Sequence, residues 1–398
     1  MSPLDHLEAA LADLDSAGRL RAPIELPADA LVLCSNDYLG YAAWPVAETA
    51  PAGSGASRLI SGDHPHHREA ERALATWVEA EDALLFTSGY AANVGLLSSL
   101  ASRGDLVISD TLNHASIIDG CRLSRADVEV VPHRDVEAVR RRLEGSVHRR
   151  RWVVTESYFS MNGQSPDLRA LRSVCDAHGA GLIVDEAHAL GVFGPGGRGL
   201  CAEASVRPDV LVGTLGKAVG LQGAFVAGPA VLRRWLWNRA RSFVFSTGPS
   251  PVLSATVPTR VATIVEDDGR RGRLLRASEA LRVGLRERGA HIPEDNHGPV
   301  IPWILGGEAE AVAMSRALLA RGLFVQAIRP PTVPAGTARL RFTLNAALLD
   351  PAKSEASDSQ PREASLVDAV LERVDAARAR PPSSGGAGVS EPAPTPPR

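Results

Sequence analysis

The stretch Asp209-Val-Leu-Val-Gly-Thr-Leu-Gly-Lys217-Ala-Val-Gly-Leu-Gln-Gly-Ala-Phe-Val-Ala-Gly228 decides how the chain is read. Two apolar, β-branched runs, 210–212 and 224–227, flank a glycine-rich loop that carries a single lysine, and both runs read as short buried strands. The interval between them is too short for a crossover helix, so one of the pair is expected to run antiparallel. A charged lysine beside buried strands is costly. Desolvation lowers an amine pKa, which suits a lysine used covalently as a Schiff base. The loop by itself fits a lysine facing solvent at least as well. It does not fit a phosphate-cradling Walker loop, because Leu211 and Ala218 stand where that loop needs glycine and Ser or Thr.

Working outward, the chain has 398 residues, 44% of them hydrophobic, enough for a large core in two or three units. A net charge of −3 gives no general attraction to nucleic acid or anionic membrane. Cys34, Cys121, Cys175 and Cys201 are scattered and form no CxxC pair, which fits free thiols in a reducing cytoplasm. The first residues lack the basic and apolar regions of a signal peptide, and no run is long enough to span a bilayer. His64, His66 and His67 crowd together without an HExxH pattern or a cysteine partner, so surface or loop positions are expected and no metal.

The pattern from residue 83 to 228 alternates strand and helix. Strands are expected at 83–86, 105–108, 128–131, 152–155, 181–184, 210–212 and 224–227, with helices between most of them. This predicts an α/β fold built on a mostly parallel sheet of about seven strands with right-handed crossovers. An N-terminal segment, 1–45, carries an amphipathic helix and a short strand. The large domain is expected over 46–266, a smaller α+β domain over 267–379, and a disordered Pro/Ser/Gly-rich tail over 380–398.

In open parallel sheets, ligands sit at the carboxyl ends of the strands. Gly89, Tyr90, His114, Ser160, Asp185, His188, Thr214 and Lys217 all fall just beyond a predicted strand end. Each has an ordinary explanation alone; Asp185 would serve as a helix N-cap. Together they match the needs of pyridoxal phosphate: a lysine for the Schiff base, and an anion, Asp185, opposite the ring nitrogen to keep it protonated. Free N–H groups at the start of a helix, Gly89-Tyr90, would receive the phosphate. His114 is suited to lie on the ring face.

The chain resembles the α-oxoamine synthases, pyridoxal-phosphate enzymes of the aspartate-aminotransferase-like fold (type I). The resemblance rests on Ser35-Asn-Asp-Tyr-Leu-Gly40, Ser88-Gly-Tyr-Ala-Ala-Asn93, Leu112-Asn-His-Ala-Ser116, Thr155-Glu-Ser-Tyr-Phe-Ser-Met-Asn-Gly163, Val184-Asp-Glu-Ala-His-Ala-Leu-Gly191, Gly213-Thr-Leu-Gly-Lys217, Phe245-Ser-Thr247 and Arg339-Leu-Arg-Phe-Thr343, in family order. The run Arg329-Pro-Pro-Thr-Val-Pro334 resembles the members that condense L-alanine with a pimeloyl thioester, carried on coenzyme A or an acyl carrier protein.

The resemblance implies that Lys217 forms the Schiff base and later acts as the Cα base. It implies that Asp185 pairs with the ring nitrogen, that His114 stacks on the ring, and that His188, with Ser160 nearby, meets the ring's phenolic oxygen. Gly89, Tyr90 and Thr214 would contact the cofactor. Ser246 and Thr247 would reach the phosphate in a neighbouring subunit, implying a homodimer with active sites at the interface. Arg341 would hold the amino-acid carboxylate, Thr332 and Arg21 the acyl substrate, Arg21 being preferred over Arg19, and Asn36 and His114 would also contact substrate. Other acyl or amino-acid substrates, a lyase or aldolase on the same fold, and a non-catalytic relative are the alternatives. A product mass from alanine plus pimeloyl thioester separates them.

Overall fold

A computed structural model describes residues 3–47, 49–350 and 362–379. In chain order the elements are α1 (Asp5–Ser16), β1 (Leu31–Val32), α2 (Pro65–Trp77), β2 (Asp82–Phe86), α3 (Gly89–Leu100), β3 (Leu106–Asp110), α4 (Ala115–Ser124), β4 (Asp127–Val131), α5 (Val136–Glu144), β5 (Arg151–Glu156), α6 (Leu168–Ala177) and β6 (Gly181–Asp185). They continue with α7 (Leu200–Glu203), β7 (Val210–Thr214), β8 (Ala224–Gly228), α8 (Ala230–Arg239), α9 (Arg241–Val244), α10 (Pro251–Glu266), α11 (Asp268–Glu287), β9 (Val300–Gly306), α12 (Glu308–Leu319), β10 (Leu323–Phe324), β11 (Ala327–Ile328), β12 (Ala338–Thr343) and α13 (Arg362–Ala379). The tail expected to be disordered lies outside the described residues.

Seven strands form one sheet in the order β2-β8-β7-β6-β5-β3-β4. All are parallel except β8, which pairs antiparallel with both β7 and β2. The short loop carrying Lys217 therefore turns the chain back, as its length requires. Side chains alternate across the sheet. Leu84, Phe86, Val107, Ile183, Val210 and Val212 enter one apolar layer, while Ala83, Leu85, Leu106, Ile108, Leu182, Val184 and Leu211 enter the other. Helices cover both faces, so these strands read as nearly continuous apolar runs. Each fully buried Leu, Ile or Val contributes roughly 1.5–3 kcal/mol relative to exposure.

The strand order reverses between β3 and β5, since β4 lies outside β3 while β5, β6 and β7 follow on its other side. A crevice opens at the carboxyl ends of strands beside such a reversal.

The second half builds a three-stranded antiparallel sheet, β11-β12-β9, and a parallel pair, β1-β10. The run 323–328 is divided between two strands: β10 pairs with β1 and β11 with β12. The N-terminal segment is tied in by the Leu33 N–H to Phe324 O at 2.9 Å and the Thr343 N–H to Leu33 O at 2.7 Å. Helix α1 buries no residue of its own, and its predicted apolar stripe, Leu4, Leu7, Leu11 and Leu14, is exposed. Among the described residues, no helix is long and apolar enough to cross a membrane.

The histidine cluster differs from expectation. His67 is fully buried, with Nε2 2.8 Å from Pro249 O and Nδ1 accepting the His64 N–H, while His64 caps α2. Its ring is a structural clip between helix and loop, which periodicity in α2 does not reveal. The glycine-rich stretch 194–199 is a tight turn held by Glu186, whose carboxylate accepts the Leu200 and Cys201 N–H groups at 3.0 and 2.6 Å.

Candidate active site

The reversal in strand order brings four strand ends together. β3 leads to Asn113 and His114, β5 ends at Glu156, β6 at Asp185 and β7 at Thr214. Glu156 and Asp185 stand opposite each other in register on adjacent strands.

Asp185 is buried and does not cap a helix. Its Oδ1 accepts the Ala187 N–H at 2.8 Å, and its Oδ2 accepts Asn93 Nδ2 at 2.7 Å. Asn93 lies one turn into α3 and also donates to Ser116 Oγ at 3.0 Å, which in turn lies 2.8 Å from His114 Nδ1. The N-terminal ends of α3 and α4 are thus stitched to the aspartate. His114 is the N-cap of α4, accepting the Ser116 N–H. Burial lowers its pKa, against the pull of Asp185 and with a smaller push the same way from Lys217.

Lys217 is half-buried in the β7–β8 loop, which is closed by the Leu215 N–H to Gly223 O and the Leu221 N–H to Leu215 O. Gly220 in this loop has φ +69°, and a Cβ there would meet Tyr41 C at 2.5 Å, so only glycine serves. The Lys217 amine makes no hydrogen bond among the described residues. Desolvation pulls its pKa well down, opposed by Asp185 and Glu156 and aided by Arg341. Glu156, beside it, is pushed up by burial and by the Asp185 charge, and its Oε1 is buried without a partner.

His188 is buried, with Nδ1 2.7 Å from Tyr38 Oη, and its pKa lies well below the ordinary value through burial and the cations Lys217 and Arg341. Arg341, on β12, is buried and donates to Ser160 O at 2.7 Å, Asn36 Oδ1 at 2.9 Å and Tyr38 Oη at 3.3 Å. All three partners are neutral, and no carboxylate pairs with it among the described residues. A buried guanidinium without a counter-charge is a place for an incoming anion.

At the start of α3, Gly89 and Tyr90 have N–H groups that the helix cannot satisfy. A Cβ on Gly89 would meet only Thr214 Oγ1, at 3.9 Å, which leaves that helix end open to a ligand. Thr214 Oγ1 accepts the Gly216 N–H at 3.2 Å and donates to Gly223 O at 3.1 Å, anchoring the lysine loop.

At the rim, Arg21 Nη2 reaches Thr332 Oγ1 at 3.3 Å, both exposed, while Arg19 is held by Glu308 at 2.7 Å. Among the described residues, Ser246 and Thr247 make no hydrogen bond to the cluster. Thr247 is bridged to Ser57 on a loop beside exposed Phe245.

Asn93, Glu156 and Tyr38 have no assigned part in the sequence reading. Glu156 carried the same signal as Asp185, an acid at a strand end. Asn93 and Tyr38 lie within quoted motifs, yet only folding shows which groups they touch.

The family model for class I and II aminotransferases matches residues 28–356. An 8-amino-7-oxononanoate synthase of Anaeromyxobacter sp. (strain Fw109-5) is 49% identical over 367 residues, covering 87% of this chain and 92% of that protein. One from Burkholderia cenocepacia (strain HI2424) is 41% identical, covering 95% and 100%. The chain belongs to the 8-amino-7-oxononanoate synthase family. A serine palmitoyltransferase of Sphingomonas wittichii is 30% identical with a TM-score of 0.83, covering 96% of this chain and all of that one. An 8-amino-7-oxononanoate synthase structure from Francisella tularensis, 23% identical with a TM-score of 0.69 over 87% of this chain, shares the fold. This is fold type I, the enzyme is an acyltransferase, and its cofactor is pyridoxal phosphate. The residues fit that group: an amine without a partner, a buried acid held by Asn93, open helix N–H groups, and a buried arginine lacking an acid.

Proposed function

We propose that this enzyme condenses L-alanine with a pimeloyl thioester to give 8-amino-7-oxononanoate, carbon dioxide and the free thiol, as a step of biotin biosynthesis. The observation that supports the reading is Arg341: a buried, forked cation with neutral partners only among the described residues, which would receive the alanine carboxylate, with Asn36 beside it.

Lys217 would hold the cofactor, and its lowered pKa favours the uncharged amine that both attachment and removal of the Cα proton require. Asp185 would face the ring nitrogen, kept in place by Asn93 and the Ala187 N–H. His188 and Ser160 would lie by the phenolic oxygen. Gly89 and Tyr90 would receive the phosphate, Thr214 would contact the cofactor, and His114 would cover the ring face and donate to the thioester oxygen as it gains charge. Once bound, pyridoxal phosphate supplies an electron sink for the charge left at Cα. Arg21 and Thr332, already in contact, would bind the acyl substrate at the rim.

The reading extends to a homodimer in which Ser246 and Thr247 serve the neighbouring subunit. It is supported by Ile60 and Phe245, 81% and 73% exposed, on the two loops bridged at Ser57 and Thr247. Exposed bulky residues beside a site suit an interface. Sedimentation should give twice the chain mass, and a monomer overturns the extension.

The decisive experiment incubates the loaded enzyme with alanine and pimeloyl-CoA or pimeloyl carrier protein and weighs the product. The expected mass is that of the amino ketone after loss of carbon dioxide. Turnover only with glycine or serine, or only with another acyl chain, overturns the substrate assignment.

A further inference from the structure

Tyr38 is fully buried between two groups of the site and has no assigned part in the chemistry. Its backbone is fixed by the turn at 35–42, where Asp37 accepts the Tyr41 and Ala42 N–H groups at 3.0 Å each, and by the Ala346 N–H to Tyr38 O at 2.9 Å. Its hydroxyl lies 2.7 Å from His188 Nδ1 and 3.3 Å from Arg341 Nη2. A guanidinium only donates, so the phenolic oxygen accepts from Arg341 and its own proton is left for His188 Nδ1. With Nδ1 an acceptor, the proton of a neutral imidazole sits on Nε2. That nitrogen makes no hydrogen bond within the chain among the described residues.

We propose that Tyr38 is a positioning residue that holds His188 in the Nε2–H form, aimed at the cofactor, and links it to the arginine that takes the amino-acid carboxylate. The proposal rests on the roles given above to Arg341 and His188. Its content is a chain of donors running one way: Arg341 N–H to Tyr38 oxygen, Tyr38 O–H to His188 Nδ1, His188 Nε2–H to the cofactor. Hydrogen bonds in such a chain polarise one another. A carboxylate on Arg341 draws on the same guanidinium that donates to Tyr38, so amino-acid binding is felt at the cofactor without a moving element. A phenylalanine at position 38 keeps the ring and its packing and removes the link.

The test compares the cofactor-loaded wild-type enzyme with Tyr38→Phe and Arg341→Lys. Nitrogen-15 NMR of labelled histidine in the wild type should show His188 protonated at Nε2, with Nδ1 a hydrogen-bonded acceptor. In Tyr38→Phe the Nδ1 resonance should move to that of an unbonded acceptor or a mixture of tautomers. The visible band of the cofactor should shift, and the Kd for L-alanine should weaken by about three- to tenfold, the scale of one buried hydrogen bond, while the thioester KM stays unchanged. A wild-type His188 protonated at Nδ1 overturns the proposal by itself, whether or not the variant folds. Unchanged Nδ1 resonance and alanine affinity in Tyr38→Phe overturn it too. If Arg341→Lys leaves alanine affinity unchanged, the carboxylate reading of Arg341 fails, and with it the link to substrate, whereas the histidine tautomer is judged on its own resonance.

Discussion

The sheet edge and the rim of the same site are built by different means. At the edge, Asp185, His188 and Thr214 are buried on consecutive strand ends, and their partners lie at 2.7–3.2 Å on elements that the core already holds. At the rim, Arg21 and Thr332 are exposed and share one 3.3 Å contact between segments 311 residues apart. The edge has little freedom to change without loss of chemistry, because a displaced partner leaves a buried polar group unpaired. The rim loses only an exposed hydrogen bond when it changes. A site divided in this way keeps one reaction at its base while the rim adapts to the acyl chain.

The division predicts a graded set of losses. Lys217→Ala should abolish the visible absorbance of bound cofactor and lower turnover by about 10²–10⁴-fold for the missing proton transfer alone. A Lys217→Ala enzyme with near-normal turnover would break the comparison at its base.

Asn93→Ala removes the donor to Asp185 Oδ2 in a buried place. It should weaken pyridoxal phosphate binding by roughly 10- to 100-fold, the worth of about 1.5–3 kcal/mol for a hydrogen bond to a charged group. An absorbance titration of the cofactor-free protein measures it.

Glu156→Gln sharpens the comparison within the edge, where two acids sit in register. Glu156 has a folded pKa above the ordinary carboxyl value of roughly 4.3. The folded state therefore binds more protons than the unfolded state above that value, and this contribution to stability is lost as pH rises through the folded pKa. The glutamine variant of the cofactor-free protein should lose less stability than the wild type over the same rise in pH, read as melting temperature at several pH values. An equal or steeper fall in the variant contradicts the raised pKa.

Arg21→Ala should have the smallest effect. The thioester KM should rise by about two- to tenfold, with alanine affinity unchanged, as one exposed hydrogen bond is lost. A loss as large as that of Asn93→Ala would erase the contrast between edge and rim.

The alternation of apolar runs and helices, the short return between 212 and 224, and the motif residues at strand ends were legible in the sequence because each is a local pattern. Burial on both faces demands the apolar run, and a loop that short excludes a crossover. Lys217, Asp185, His188 and His114 lie at or just beyond strand ends of the one sheet for that reason. The use of His67 as a buried clip, the hold of Asn93 on Asp185, the unpartnered oxygen of Glu156 and the place of Tyr38 between His188 and Arg341 were decided only by the tertiary structure. Tyr38 and Arg341 are 303 residues apart in the chain. Hydrogen bonds of that kind depend on where β1, β10 and β12 are tied together, and no residue spacing carries that information.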